Sequence, residues 1–529
     1  MRISDQFFTH LSHNPDEHFY IDIINDRQYT RGEFSDEALK LCSFFQDQGI
    51  REGDTLAMVF PNCVESALFY FACLYSRMTL VPLNPILHPS EVEYILKSTN
   101  PKAVFLSPST ADRINPEIEK TFRQRLCGFR ILQESEQEWN TSFRNVSSRD
   151  IFSDFSPASL EMNRIPDDQL LTITFTSGTT QKPKGVVHRF ENFVNNALRF
   201  IAVQGIGKEN SFYGVLSQAY MGGFYNLLLL PWIAGSSIAF GKAFDALTAI
   251  SFWDAPMKYR LNTLWLVPTI MAILLKVDRN EKGREYARNN IRLALVGTAP
   301  LPVPLRKDFE KRYGIRLYEN YGLSEILFVS TNFPGDSVID GSVGKVLKDV
   351  DVSILSPAGG LLSSGEEGEI CVRTPDRMKG YFQEKENVTE QKSSSKDMEW
   401  FATGDVGYLD SQGRLFITGR KKDLIIRGGI NISPSAIENI IMEHPAVSQA
   451  AVVGIPHEIY GEDIAAVVKM KPGFSLKSLQ KELEDLCRDK LGQIRKPAMF
   501  FEIEEFPAST TGKIQKNKLR EMLKVKLGK

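Results

Sequence analysis

The sequence predicts an α/β protein, with a large N-terminal domain of mainly parallel sheets flanked by helices and a small α+β C-terminal domain. Two observations support this prediction. Short apolar runs alternate with apolar segments at helical spacing, which is typical of parallel strands joined by helices. After about residue 420, a turn-rich stretch precedes about 110 residues that contain strands and a helix of their own, enough for a separate domain.

The individual elements follow from local pattern. Short apolar runs bounded by turn residues predict strands at 55–60, 79–83, 170–175, 262–268, 291–297, 449–455 and 463–470. Helical spacing of apolar residues predicts helices at 64–77 and 476–491. The charged, Ser-rich stretch 383–400 predicts a surface loop. We place the domain boundary at 420/421, which gives an N-terminal domain 1–420 and a C-terminal domain 421–529.

Composition excludes several classes of protein. Lys and Arg total 63 and Asp and Glu 65, so the formal net charge is −2, without the basic excess of nucleic-acid-binding proteins. The longest apolar run, Phe224 to Ala234, is too short for a membrane span of roughly 20 residues, and the N-terminus carries no secretory signal. The six cysteines form no C-x-x-C pair, which favours reduced thiols in a cytoplasmic protein. No transition-metal site is predicted.

The segment Thr174 to Gly185, TFTSGTTQKPKG, carries the strongest local signal. A predicted buried strand runs into a loop rich in hydroxyl and glycine residues, and such loops form concavities of N–H and hydroxyl donors that bind anions. Lys184 adds a compact positive charge suited to phosphate. The P-loop pattern G-x-x-x-x-G-K-[ST] is the obvious rival, but Pro183 stands where its second glycine belongs.

Thr176 to Gly185 resembles the signature of the adenylate-forming superfamily (acyl-CoA synthetases, adenylation domains and luciferases), except that Gln181 replaces a glycine. Five further segments resemble motifs of this superfamily, in the same order: LALVGTAPL (293–301), YENYGLSE (318–325), ATGDVGYLD (402–410), GRKKDLIIRGGINISP (419–434) and PASTTGKIQKNKLR (507–520). The chain is most similar to the acyl- or aryl-CoA ligases of this superfamily.

This resemblance implies a two-step reaction. A carboxylic acid is first joined to AMP from ATP, which releases pyrophosphate, and a thiol, usually that of CoA, then attacks the acyl-adenylate. Joining two anions needs positioning and electrostatic stabilisation. The implied cofactors and substrates are therefore ATP, Mg²⁺, a small carboxylic acid, and CoA or a phosphopantetheine acceptor.

Residue roles in ATP binding are carried over motif by motif. By resemblance, Glu325 is the Mg²⁺ ligand, Ser324 contacts the α-phosphate and Tyr321 stacks on adenine, while Asp405 and Arg420 hold the ribose. The remaining residues implied in nucleotide binding are Thr176, Ser177, Gly178, Thr179, Thr180, Gly297, Thr298 and Ala299.

The resemblance also gives the C-terminal domain its roles. Lys513 is the expected catalytic cation, which reaches the carboxylate and the α-phosphate from the smaller domain. Lys422 occupies the hinge about which this mobile domain turns, and Gly429 lies on the wall of the pantetheine channel. The basic stretch 516–526 is expected to be a solvated helix face.

The acid pocket is expected between 217–226, the turn Gly297–Pro300 and Leu323. Tyr220 stands where amino-acid-activating relatives have an aspartate, which disfavours a free α-amino acid. Gly222 and Gly223 carry no side chains and leave depth for an aliphatic tail or an aromatic ring, which Phe224 closes.

The hypothesis is an ATP-dependent carboxylic acid–CoA ligase acting on a fatty or aryl acid. The alternative within the same chemistry is a stand-alone adenylating enzyme that loads an acyl carrier protein. An oxidative, luciferase-like fate of the acyl-adenylate and a non-catalytic, ligand-binding relative also stay open. Retention of Lys513, Glu325 and Asp405 speaks against a non-catalytic relative.

Overall fold

Three β-sheets organise the chain in a computed structural model that describes residues 2–134, 143–160, 165–176, 183–382, 399–508 and 514–527. Sheets of 13 and eight strands contain the described strands from His18 to Arg420, and a five-stranded sheet contains those from Ile425 to Glu502. A large N-terminal part of sheets and helices is thus followed by a smaller α+β part, which confirms the predicted fold class. Within the described ranges, no helix is both long and apolar enough to cross a membrane.

The strands have the following bounds: β1 (His18–Asp22), β2 (Arg27–Thr30), β3 (Thr55–Val59), β4 (Thr79–Pro82), β5 (Ala103–Leu106), β6 (Leu126–Arg130), β7 (Arg144–Ser147), β8 (Leu170–Thr176), β9 (Lys184–Arg189), β10 (Ser211–Gly214), β11 (Ser237–Phe240), β12 (Thr263–Leu266), β13 (Leu293–Val296), β14 (Leu317–Leu323), β15 (Leu327–Thr331), β16 (Ser342–Val346), β17 (Asp351–Leu355), β18 (Gly368–Arg373), β19 (Gly380–Phe382), β20 (Phe401–Leu409), β21 (Arg414–Arg420), β22 (Ile425–Arg427), β23 (Ile430–Ile432), β24 (Val447–His457), β25 (Gly461–Met470) and β26 (Met499–Glu502).

The α-helices have the following bounds: α1 (Ile3–Phe7), α2 (Thr9–His13), α3 (Arg31–Asp47), α4 (Val64–Tyr75), α5 (Pro89–Thr99), α6 (Pro116–Phe122), α7 (Ser148–Asp154), α8 (Phe190–Gln204), α9 (Met221–Phe224), α10 (Leu230–Ala234), α11 (Ala246–Ile250), α12 (Asp254–Tyr259), α13 (Pro268–Val277), α14 (Glu281–Asn290), α15 (Val303–Tyr313), α16 (Pro434–Met442), α17 (Leu476–Arg495) and α18 (Lys516–Lys526). Each strand and helix that the pattern predicts is present, whereas the predicted loop at 383–400 lies, except for its last two residues, outside the described residues.

The 13-stranded sheet changes character at its middle. From β1 through β11, β10, β12 and β13 to β14, neighbouring strands are parallel. From β14 through β15, β16, β21, β20 and β18 to β17, the sheet continues antiparallel. The mainly parallel arrangement that the sequence predicts therefore stops at β14. Beyond it, consecutive strands such as β14 and β15 are joined by short turns, and antiparallel strands need no crossover helix.

The eight-stranded sheet is covered by helices on both faces. One face packs on a core that includes α4, whose residues are all buried, and the other packs on α5 and α6 through Val92, Ile95 and Ile118. Burial on both faces is typical of parallel sheets, whose crossover helices cover them. The antiparallel hairpin of β8 and β9 lies towards one edge of this sheet.

The C-terminal sheet has hydrophobic cores of its own. On one core, α16 and α17 pack through Ile437, Ile441 and Leu483, and on the other, α18 packs through Leu519 and Leu523. Strand β21 ends in the large sheet at Arg420, and β22 begins in the small sheet at Ile425. The boundary at 420/421 lies at this crossing and stays a prediction, as does the mobility of the smaller part.

Candidate active site

A cavity of about 970 Å³ lies at the carboxyl ends of strands from both large sheets. Residues after β4, β8, β10, β12 and β13 line it, together with residues from the C-terminal part. Ligands of open α/β sheets bind outside the carboxyl ends of the strands. The position of the cavity is therefore the one that the strand topology favours for a binding site.

The predicted phosphate loop starts and ends at this cavity. Thr176 at the end of β8 pairs across the hairpin with Lys184 at the start of β9, and both residues line the cavity. The Lys184 Nζ lies 4.9 Å from the centre of the Tyr381 ring. Ser177, Gly178, Thr179 and Thr180 lie outside the described residues, so their roles stay predictions.

Ser324 and Glu325 lie in the tight turn between β14 and β15, and both line the cavity. Tyr381 donates a hydrogen bond from its hydroxyl to Glu325 Oε1 at 2.8 Å. His188, fully buried on β9, donates from Nε2 to the Ser324 carbonyl at 2.5 Å. The turn is thus fixed on both sides, although nothing in the sequence pattern singles out Tyr381 or His188.

Tyr321, Asp405 and Arg420 form one hydrogen-bonded cluster. The Tyr321 hydroxyl donates to Asp405 Oδ2 at 2.8 Å, and Arg420 Nε donates to Oδ1 at 2.8 Å. Burial, and the adjacent Asp405 carboxylate, hold the pKa of Tyr321 well above its usual value. Arg420 lines the cavity, whereas Tyr321 and Asp405 are buried behind its wall. The structure thus brings these three predicted residues together.

The turn after β13 contributes one side chain to the wall. Thr298 lines the cavity with φ of +71°, whereas Gly297, Ala299 and Pro300 do not line it. A Cβ on Gly297 would lie 2.3 Å from Asn320 Oδ1, so glycine is needed there for close packing on β14.

One group of lining residues, which we call the apolar end, contains no Asp, Glu, Lys, Arg or His. It comprises Leu216, Ala219, Tyr220, Met221, Gly222, Tyr225, Asn226, Val267, Leu327 and Phe328. The charged lining residues, a group that we call the charged end, are Glu91, Lys184, Glu325, Arg420, Lys421, Lys422 and Lys518. Leu323 lines the cavity one residue before the Ser324–Glu325 turn.

Gly223 and Phe224 do not line the cavity. The structure therefore differs from the expectation that Gly223 leaves depth in the acid pocket and that Phe224 closes it. Phe224 is 1% exposed and stacks on Tyr70 with 3.9 Å between ring centres. A Cβ on Gly223 would lie 2.0 Å from the Ser217 carbonyl oxygen. Both residues therefore serve packing rather than pocket depth.

Helical spacing explains which residues of this segment reach the cavity. The chain continues from α9 into a π-helical turn, Tyr225–Leu229. Gly222, Tyr225 and Asn226 line the cavity, and residues three and four apart share a helix face. The expected segment 217–226 contains Tyr225 and Asn226, but the sequence analysis singled out neither of them.

The C-terminal part reaches the cavity with residues that flank the predicted catalytic lysine in the sequence. Lys513 lies outside the described residues, but Ala508, Gln515 and Lys518 line the cavity, and Ala508 pairs with Ile514. The basic stretch 516–526 forms α18, as predicted, but it is not simply solvated. Lys516 forms an ion pair with Glu438 at 2.6 Å.

Lys422 and Gly429 lie in the connection between the large and small sheets. Lys422 is in a 3₁₀ turn, Lys421–Asp423, immediately after β21. Gly429 follows Gly428 in the two-residue turn between β22 and β23, and both have positive φ, as a tight hairpin turn of this kind requires. Gly429 does not line the cavity, and its role at a pantetheine channel stays a prediction.

Glu325 fits a Mg²⁺ ligand by its chemistry. Mg²⁺ is usually held by one or two carboxylates together with substrate phosphates. Glu325 Oε1 accepts from Tyr381, and Glu325 lines the same cavity as Lys184 and Arg420, whose positive charges would attract phosphates.

Comparisons with known proteins agree with this geometry. The family described as AMP-binding enzyme matches residues 7–382, and its C-terminal domain matches residues 436–513. A long-chain-fatty-acid–CoA ligase of Bacillus subtilis is 29% identical over 92% of this chain and 88% of its own. An oxalate–CoA ligase of Arabidopsis thaliana is 30% identical over 89% of this chain and 88% of its own.

A solved structure supports the same assignment. ATP-bound MatB from Rhodopseudomonas palustris is 25% identical, with a TM-score of 0.84, and the match covers 98% of this chain and 99% of that one. The cavity thus belongs to an adenylate-forming enzyme. The chain is a member of the AMP-binding enzyme family, which confirms the resemblance found in the sequence, and the relatives' names agree with the predicted acid–thiol ligase class.

Proposed function

We propose that the chain is an ATP-dependent carboxylic acid–CoA ligase that forms an acyl-adenylate from a fatty or aryl acid and releases pyrophosphate and AMP. One observation supports this most: a single cavity has a charged end suited to a nucleotide and an apolar end suited to the tail of an acid. The flanks of both the predicted phosphate loop and the Lys513 segment line this cavity.

In the first step, a carboxylate oxygen of the acid attacks the α-phosphorus of ATP, and pyrophosphate leaves. Both reactants are anions, so positive charge that acts in the transition state accelerates the step. Lys184 and Lys513 supply this charge, while Arg420, which lines the cavity and is hydrogen-bonded to Asp405, fixes the ribose. Mg²⁺, held by Glu325, would neutralise further phosphate charge when bound.

In the second step, the sulfur of CoA loses its proton and attacks the acyl carbon, and AMP leaves. The charge of Lys513 is no longer needed at the α-phosphate in this step. We propose that the C-terminal part turns about Lys422 between the steps, as in the two-step scheme that the family resemblance implies.

The six cysteines are free thiols, which supports our proposal of a cytoplasmic location.

The test is pyrophosphate release from the full-length enzyme with ATP, Mg²⁺ and a panel of carboxylic acids. We expect acid-dependent release of pyrophosphate and AMP, followed by thioester formation when CoA is added. Parallel reactions with a phosphopantetheine-bearing acyl carrier protein distinguish the two thiol acceptors. Release of ADP and phosphate instead of AMP would contradict the proposal.

A further inference from the structure

The apolar end of the cavity contains one buried amide that the proposed reaction leaves unused. Asn226 lines the cavity and is only 6% exposed. Its side chain has no hydrogen-bond partner among the residues that the structure describes. An amide that lines a cavity without a partner in the protein has its donor and acceptor groups available to a ligand.

Tyr225, the residue before Asn226, does not leave its polar group open in this way. Tyr225 also lines the cavity, but its hydroxyl donates to Asn196 Oδ1 at 2.8 Å. Asn226 lies one residue further, in the π-helical turn Tyr225–Leu229. Such turns are rare and are frequent at functional sites, and this one places both residues at the cavity.

The surroundings of Asn226 favour an uncharged ligand group. The apolar end contains no Asp, Glu, Lys, Arg or His among the described residues that form it, and burial raises the pKa of the Tyr220 hydroxyl, which therefore stays neutral. Behind Tyr225, Asp376 and Arg199 are paired with each other at 2.5 Å and do not line the cavity. An ionised group placed here would lose its hydration without gaining a counter-charge.

We propose that Asn226 is a specificity-determining residue, which hydrogen-bonds an uncharged polar group, such as a hydroxyl, keto or amide group, on the tail of the substrate acid. Acids whose tail carries a carboxylate, a sulfonate or an ammonium group are rejected. This inference rests on the proposed function and narrows its substrate class. The relatives do not decide the matter, since one is named for a long-chain fatty acid and another for oxalate.

The experiment compares matched acids that differ only at the tail. The trios are hexanoate, 6-hydroxyhexanoate and adipate; hexadecanoate, 16-hydroxyhexadecanoate and hexadecanedioate; and benzoate, 4-hydroxybenzoate and terephthalate. Pyrophosphate release gives kcat/KM for the wild type, for Asn226→Leu, which keeps the branched shape without the amide, and for Asn226→Ser, which keeps a hydrogen-bonding group.

In at least one trio, we expect the wild type to prefer the hydroxy acid to its parent by about tenfold and to reject the dicarboxylate by about a hundredfold or more, because a site built to hydrogen-bond discriminates strongly. In Asn226→Leu, the ratio of kcat/KM for the hydroxy acid to kcat/KM for the parent acid should fall to about one. Asn226→Ser should keep part of the preference.

Three outcomes would overturn the inference. Equal losses on hydroxy and parent acids in both variants would show a packing role. If a dicarboxylate were the best substrate of its trio, this would contradict the proposal that the apolar end rejects charged tails. Absence of pyrophosphate release with every acid in the wild type would overturn the proposed function itself, which the first two outcomes leave standing.

Discussion

The two ends of the cavity differ in how their polar groups are held. At the charged end, Glu325 is bonded to Tyr381, and Asp405 is bonded to both Tyr321 and Arg420. At the apolar end, the Asn226 amide is unpaired within the described residues. The difference indicates that the charged end is organised before a ligand binds, whereas the apolar end is completed by the ligand.

This contrast fits the chemistry of an acid that is activated at one end only. The head of the acid must meet ATP among charges that are already positioned, because reorganising charges during the reaction would raise the barrier. The tail needs only exclusion of water and a shape that fits. Four predictions test this division, in order of expected effect.

Replacing the predicted catalytic lysine should have the largest effect. A unit charge about 4 Å from another contributes ~4 kcal/mol at an effective dielectric of ~20, so Lys513→Ala should slow pyrophosphate formation roughly a thousandfold. Attack of CoA on supplied acyl-adenylate should be largely retained. Rapid-quench assays of the two half-reactions measure this, with the exposed Lys524→Ala as the control. Equal loss of both half-reactions would remove the proposed role of Lys513.

Removing the charge of Glu325 should affect the charged end alone. Glu325→Gln should lower the rate of adenylation about a hundredfold and raise the Mg²⁺ concentration needed for half-maximal rate. Tyr381→Phe, which removes only the hydrogen bond to Glu325, should have a smaller effect in the same direction. Glu367→Gln, exposed and away from the cavity, is the matched control. An unchanged Mg²⁺ requirement in Glu325→Gln would contradict the ligand assignment.

Stiffening the connection between the large and small sheets should separate the two steps. Lys422→Pro fixes φ and should slow thioester formation about tenfold while adenylation changes less, because only the second step needs the C-terminal part to turn. Lys422→Ala, which removes the side chain and leaves the backbone free, should change the ratio of the two rates much less. A larger loss in adenylation would contradict the hinge assignment.

His188, which holds the Ser324 carbonyl at the charged end, should make the free energy of unfolding depend on pH. Burial lowers the pKa of His188 to about 4, from 6.5. Between pH 4 and pH 6.5, this histidine is therefore protonated in the unfolded chain but neutral in the folded chain. The contribution of His188 is complete above pH 6.5 and is lost as the pH falls towards 4. At pH 5, this loss amounts to about 2 kcal/mol.

Urea unfolding of the wild type and of His188→Gln measures this loss. The stability advantage of the wild type over His188→Gln should shrink by about 2 kcal/mol between pH 8 and pH 5. His13→Gln, which changes an exposed histidine, is the matched control. An advantage over His188→Gln that is the same at both pH values would show that His188 does not titrate as its burial requires.

Local sequence patterns predicted the elements well where the spacing of hydrophobic residues within one segment is enough to identify a strand or a helix. Strands such as β12 and β13 and the buried helix α4 were all predicted, because hydrophobic periodicity is a local property. The antiparallel half of the large sheet was not predicted, since alternation of strands with short turns does not fix which strands pair. The ion pair of Lys516 with Glu438 and the position of Lys518 at the cavity were also not predicted, because both depend on segments that are distant in the sequence.

The sequence by itself determined the family, the order of the motifs and the chemistry that their residues offer, because catalytic groups of fixed type recur at fixed local spacing. Only the tertiary structure decided which of them share one cavity. It placed Phe224 in the core and Asn226 at the wall, and it joined Tyr321 to Asp405 across 84 residues of chain. Such choices depend on how distant segments pack, and packing is a property of the whole fold rather than of any stretch of sequence.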